Sequence, residues 1–223
     1  MFWTLGLAHL IADYPLQSNR LVLAKRHWPG LTVHVAIHFA MMLLLAGRDA
    51  LLVWPQLLAL AAIHFAIDSF KNFNSARWPR LVVFPYVLDQ LLHLLSIALV
   101  AVWIQAVHGI QRDQDWLIYA AAYVLATHVW FITERILAHD DECYRKEIEA
   151  HYLPRMVVRA LALTLFLLAG RLIWTAATAT PLLFIAGPLR LPYRQSHFRR
   201  RMLLQDLLGP LLLAILVLLT ANL

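Results

Sequence analysis

Residues 50–73 read ALLVWPQLLALAAIHFAIDSFKNF, an apolar run whose only ionisable side chains before the closing Lys71 are His64 and Asp68. A helix of that length rises about 36 Å, enough to cross a hydrocarbon core of about 30 Å. A spacing of four puts His64 and Asp68 on one face, a turn apart. Ionisable groups inside a membrane helix are costly unless they have a partner or a task. The stretch therefore predicts a transmembrane helix that carries part of a polar site.

The same device recurs on both sides of it. His9 and Asp13, His34 and His38, and Asp89 and His93 are each four residues apart in their own apolar segments. The wider composition agrees: 61% of residues are hydrophobic, only 14% are charged, and the mean hydropathy is +0.66. This is the profile of a membrane protein. The eight Trp fall mostly near the ends of apolar runs, where interfacial rings prefer to sit.

The predicted fold is all-α, a polytopic transmembrane bundle of about seven helices, at 2–19, 31–47, 50–73, 83–108, 116–138, 156–178 and 203–222. Residues 1–110 make a four-helix unit with the His/Asp site, and 111–223 add further transmembrane helices and polar loops. Pro15 is expected to kink the first helix, and Trp54-Pro55 to punctuate a helix end. With no basic n-region or small-residue cleavage site, the first helix is expected to be retained.

Arg20, Lys25 and Arg26, then Lys71, Arg77 and Arg80, then Arg135, Arg145, Lys146, Arg155 and Arg159 fall in alternate loops. The positive-inside rule puts those loops in the cytoplasm and the N-terminus outside. The net charge of +6 then reflects topology and anionic headgroups, and no nucleic-acid partner is expected. The single cysteine, Cys143, excludes an internal disulfide and a thiolate-rich zinc site. The stretch His139–Arg155 reads as a solvated hairpin, Glu134 and Arg135 as pairing or facing headgroups, and Arg190–Arg201 as a basic juxtamembrane run. Residues 178–202 fit either a re-entrant stretch or a broken helical hairpin.

Short loops make consecutive helices antiparallel, so depth can be counted at 1.5 Å per residue. His9, His38, His64 and His93 come out about 11–15 Å from one face, and Asp13, His34, Asp68 and Asp89 about 5–9 Å from it. The result is two layers in one half of the membrane, the cytoplasmic half under the assigned topology. Imidazole with carboxylate suits a divalent transition metal, Zn, Fe or Mn. One catalytic ion would use about three of these ligands, whereas two ions about 3.5–4 Å apart would use nearly all. One of Asp13, Asp68 or Asp89 is a candidate proton acceptor as well as a ligand. Lys71 is either an anion holder or a snorkelling anchor, and Gln17 and Gln90 either orient water or bond between helices. His128, in the fifth helix, is a second-tier ligand or base.

The order His9-Leu-Ile-Ala-Asp13-Tyr-Pro-Leu-Gln17, His34-x-x-x-His38, His64-Phe-Ala-Ile-Asp68-Ser-Phe-Lys71 and Asp89-Gln90-Leu-Leu-His93 resembles the bacterial membrane-protein family catalogued as domain of unknown function 3307. The resemblance covers roughly the first 110 residues. It implies a bacterial inner-membrane protein and brings no reaction with it. From the residues, the expected function is that of an intramembrane metal-dependent enzyme, first a hydrolase acting on a lipid, lipid-linked or small-molecule substrate at the cytoplasmic leaflet. The alternatives are a metal-ion or proton transporter, or a structural protein with buried His–Asp pairs.

Overall fold

The computed structural model describes residues 1–75, 82–110, 115–171 and 198–221, which are helical with no strand among them. Arg77, Arg80, Arg112, Asp113, the two alternatives for 178–202 and most of the basic run at 190–201 lie outside the described residues. The helices are α1 (Phe2–Asp13), α2 (Asn19–Ala24), α3 (Trp28–Ala46), α4 (Ala50–Ser75), α5 (Val83–His108), α6 (Asp115–Val124), α7 (Trp130–Leu137), α8 (Glu142–Ala150), α9 (Tyr152–Arg171) and α10 (Arg199–Ala221).

Five helical stretches are long and apolar enough to cross a membrane: Trp28–Asn74, Val83–His108, Asp115–Leu137, Tyr152–Ala169 and Arg200–Thr220. The protein is a polytopic transmembrane helical bundle. Within Trp28–Asn74, Gly47 at φ +58° and a 3-10 turn at Gly47–Asp49 reverse the chain, and α3 packs back along α4. Leu44, Leu51, Leu99 and Val102 are strongly exposed on these helices, as lipid-facing side chains must be.

The first helix differs from expectation. It stops at Asp13 instead of running kinked to residue 19. Pro15 disfavours helical geometry at Tyr14 and has no N–H to continue the ladder, so it ends the helix. With 12 residues, α1 rises about 18 Å and does not cross a bilayer alone. Ser18 then caps α2 by accepting from the Leu21 N–H at 3.3 Å. Pro55 lies inside α4 and marks no helix end.

The chain forms two compact units, Met1–Leu117 and Ile118–Leu223. In the first, α1 packs on α3 and α5, α3 on α4, and α4 on α5, which closes a ring of four helices. Its apolar core includes Leu5, Met42, Val53, Leu57, Leu60, Ile97, Val100 and Ile104. Gln56 and His108 bond to each other at 3.0 Å. Gln56 is a buried polar group that the depth count passed over.

In the second unit α9 packs against α10, and a π-helical turn, Leu125–Val129, joins α6 to α7. The expected solvated hairpin at 139–155 instead contains α8, whose Tyr144 and Ile148 are fully buried. Glu134 does not pair with Arg135, which bonds Glu149 at 2.7 Å. It is buried with two arginines that had been read as loop charges. Arg155 Nη2 and Arg159 Nη2 reach Glu134 at 2.9 and 2.7 Å, and both guanidinium groups also bond Asp206. Tyr144 Oη donates to Glu134 at 2.5 Å. Burial and that bond to a carboxylate push the phenol pKa up.

Candidate metal centre

Each helix of the first ring brings one ligand pair to the same end of the unit. His9 and Asp13 close the C-terminal end of α1, His34 and His38 open α3, His64 and Asp68 lie late in α4, and Asp89 and His93 lie early in α5. The sequence forces this arrangement. Antiparallel neighbours alternate their ends, and i,i+4 spacing turns both members of a pair inward. All eight residues are buried, none above 8% exposed.

Four imidazoles pack as one layer. Ring centroids are 3.8 Å apart for His38–His64, 4.1 Å for His64–His93 and 5.0 Å for His9–His93. The carboxylates sit against this layer. Asp13 Oδ1 is 3.1 Å from Nε2 of both His34 and His38. Asp68 Oδ2 is 3.4 Å from His34 Nε2, and Asp68 Oδ1 is 3.5 Å from His93 Nε2. Asp89 Oδ1 is also 3.5 Å from His93 Nε2. Across the middle, His64 Nε2 and His34 Nε2 face each other at 3.3 Å.

Three sets of donor atoms lie within 4.8 Å of one another: Asp13, His34, His38 and His64; His9, His64 and His93; and Asp68, Asp89 and His93. A tetrahedral ion bound at about 2.0–2.2 Å has ligand atoms roughly 3.3–3.6 Å apart. The pairs His34–Asp13, His34–His64 and His93–Asp68, at 3.1–3.5 Å, are already close to that spacing, while each whole set lies within 4.8 Å. Nε2 of His9, Nδ1 of His34, Nε2 of His93 and Oδ1 of Asp89 are buried and complete no hydrogen bond. Buried polar atoms are normally satisfied, so four orphans in one cluster point to a missing partner. The donor set, imidazole nitrogen with carboxylate oxygen, fits a divalent metal ion.

Among the neighbours, Lys71 Nζ bonds Asp89 Oδ2 at 2.6 Å, and Gln90 Nε2 donates to the same oxygen at 3.2 Å. Tyr14 Oη donates to Gln90 Oε1 at 3.2 Å and meets Tyr86 Oη at 3.0 Å. Gln17 is not drawn to a ligand side chain; its Nε2 donates to the Asp13 carbonyl at 2.9 Å and closes the end of α1. Lys25, read only as a loop charge, reaches Asp68 Oδ2 at 3.4 Å. Nothing in its sequence position marks it, because its place over Asp68 depends on where α1 ends.

The residues matching the family model described as "Protein of unknown function (DUF3307)" are 1–129. The chain belongs to this family. The DUF3307 match contains all four ligand pairs, Lys25 and Lys71, and extends past the residues that carried the resemblance. The Glu134–Arg155–Arg159–Asp206 cluster lies beyond it. No curated protein and no solved structure matches the chain.

Elsewhere, His128 lies in the π-helical turn of the second unit with its Nδ1 3.0 Å from Thr127 Oγ1. His139 pairs with Asp140 and His151 with Glu147, while Asp141 caps α8. Among the described residues, the candidate metal groups are confined to α1, α3, α4 and α5.

Proposed function

We propose that the protein is an intramembrane metal-dependent enzyme, a hydrolase that acts on a lipid or lipid-linked substrate from the cytoplasmic leaflet of a bacterial inner membrane. One observation carries the reading: eight buried ligand side chains converge at one end of a four-helix ring, with a layer of apolar side chains behind them. Zn, Fe or Mn would be held by Asp13, His34, His38 and His64, and a second ion by Asp68, Asp89 and His93. Such an ion supplies a Lewis acid and lowers the pKa of a water towards neutrality. The chain's own part is to orient the imidazoles, to exclude bulk water through burial, and to offer Asp13 or Asp68 as a proton acceptor.

Transport is the less favoured reading, because an ion path needs polar groups through the membrane. Leu5, Met42, Leu60 and Ile97, with Ser96 as the one polar neighbour, line the far side of the four-histidine layer around a cavity with room for at most about one water. Farther along the ring, Gln56 Nε2 bonds His108 while its Oε1 is buried without a hydrogen bond.

The test is elemental analysis of protein purified without chelator, followed by turnover of a panel of phospholipids and lipid phosphates, with ion flux in proteoliposomes run in parallel. Bound transition metal with turnover and no flux supports the reading. Metal-free wild-type protein overturns it, and metal with flux alone converts it to a transporter.

A further inference from the structure

Two lysines from different elements cover the metal cluster on its outward side. Lys25, in the corner between α2 and α3, pairs with Asp68 at 3.4 Å, and Lys71, near the end of α4, pairs with Asp89 at 2.6 Å. Their side chains are 13% and 31% exposed, whereas the ligand carboxylates beneath are 9% or less. The lysines are therefore the charged groups between the buried cluster and its exterior.

Lys25 is held there by design of the corner. Asn72 Nδ2 donates to the Lys25 carbonyl at 2.8 Å, and a Cβ at Gly30 would lie 2.1 Å from the Ala24 carbonyl oxygen. Only glycine lets α3 start so close to α2. A lysine acting only as a snorkelling anchor needs no clamp on its backbone and turns its ammonium away from the protein.

Charge balance gives the pair a further task. Asp13, Asp68 and Asp89 bring three negative charges, and the two ammonium groups return two positive ones. Adding one divalent ion makes the pocket net positive, and a second makes it strongly so. A carboxylate oxygen given to a metal is also a poorer acceptor for lysine. Uncompensated charge in a buried site is expensive, so an anion must complete it. Ammonium groups with three rotatable donors suit a tetrahedral phosphate.

We propose that Lys25 and Lys71 are the anion-recognition pair of this site and hold the phosphate group of its substrate beside the metal. The proposal rests on the metal-dependent reading above. It adds that the substrate carries a phosphate, from a phospholipid or lipid-linked phosphate or from free phosphate.

The experiment uses the full chain in a phosphate-free maltoside detergent, loaded with zinc or manganese and checked by elemental analysis. Inorganic phosphate and dihexanoyl phosphatidic acid are titrated calorimetrically into loaded and metal-free protein. Loaded wild type should bind at least one probe about tenfold or more tighter than metal-free protein, a comparison that needs no variant. The Lys25→Gln, Lys71→Gln double variant should lose about tenfold or more in phosphate affinity while binding the metal at least as tightly as wild type. The Lys25→Arg, Lys71→Arg variant should keep phosphate binding. Phosphatidic acid bound in preference to inorganic phosphate assigns a lipid source, and equal binding assigns free phosphate. Loaded wild type that ignores both probes overturns the proposal and leaves the metal centre standing. A glutamine variant that binds phosphate like wild type, or that loses metal together with phosphate, also overturns it. Wild type that takes up no metal sinks the metal reading and this inference together.

Discussion

His34 and His64 point Nε2 at Nε2 across 3.3 Å between α3 and α4, beside the His38–His64 ring contact and the approach of Asp68 to His34. Two neutral imidazoles can satisfy this contact only by one proton held between them; a metal ion satisfies both nitrogens at once. His64 also belongs to the group formed with His9 and His93. His64→Ala should therefore cost more bound metal than loss of His9, which lies in one group only. Metal content of the two purified variants, measured beside wild type, checks this order, and the His64→Ala, Asp89→Ala double variant should retain none.

Metal that binds only the folded state must raise its stability. At a free concentration 100 times the dissociation constant the gain is about 2.7 kcal/mol. Chelator should therefore lower the Tm of wild type and leave that of the double variant unchanged. Equal shifts in both would mean that the metal binds elsewhere.

Gln56→Leu tests the opposite end of the ring. Its bond to His108 is an ordinary contact between membrane helices, worth about 0.6 kcal/mol on average. The substitution should shift thermal stability slightly and leave metal content as in wild type. Lost metal would show that the two ends of the unit are coupled.

Asp206→Ala leaves Arg155 and Arg159 without one of their two carboxylate partners in a fully buried setting. Breaking a buried pair from one side costs about 3–5 kcal/mol. Denaturation monitored by Trp fluorescence should show that loss, while metal uptake by the folded fraction persists.

Gly30→Ala would set a methyl group 2.1 Å from the Ala24 carbonyl oxygen. The corner between α2 and α3 must open, at a cost of about 1–3 kcal/mol, and Lys25 must move from Asp68. Metal stoichiometry should survive with reduced Tm, and phosphate affinity should fall with it.

The ligand pairs were legible because each obeys the helix period within its own apolar run, and alternation alone then fixes their common end. Lys25 was not legible, since its place over Asp68 depends on where α1 stops, and that turns on Pro15 ending the helix instead of bending it. Arg155 and Arg159 misled for a related reason. Counted as loop charges they serve the positive-inside pattern, yet their spacing of four matches that of the ligand pairs, and Glu134 and Asp206 were waiting in apolar helices far away in sequence. The π-helical turn at Leu125–Val129 leaves no mark in the hydropathy pattern, because one extra residue per turn changes the face and not the composition.

The leucine, methionine and isoleucine side chains behind the four packed histidine rings leave almost no free space on that side of the layer. On the proposed reading, a phosphate-bearing substrate would enter and its product leave past the same two lysines. A firmer grip on the incoming anion would then slow departure of the spent one, and product release would limit turnover.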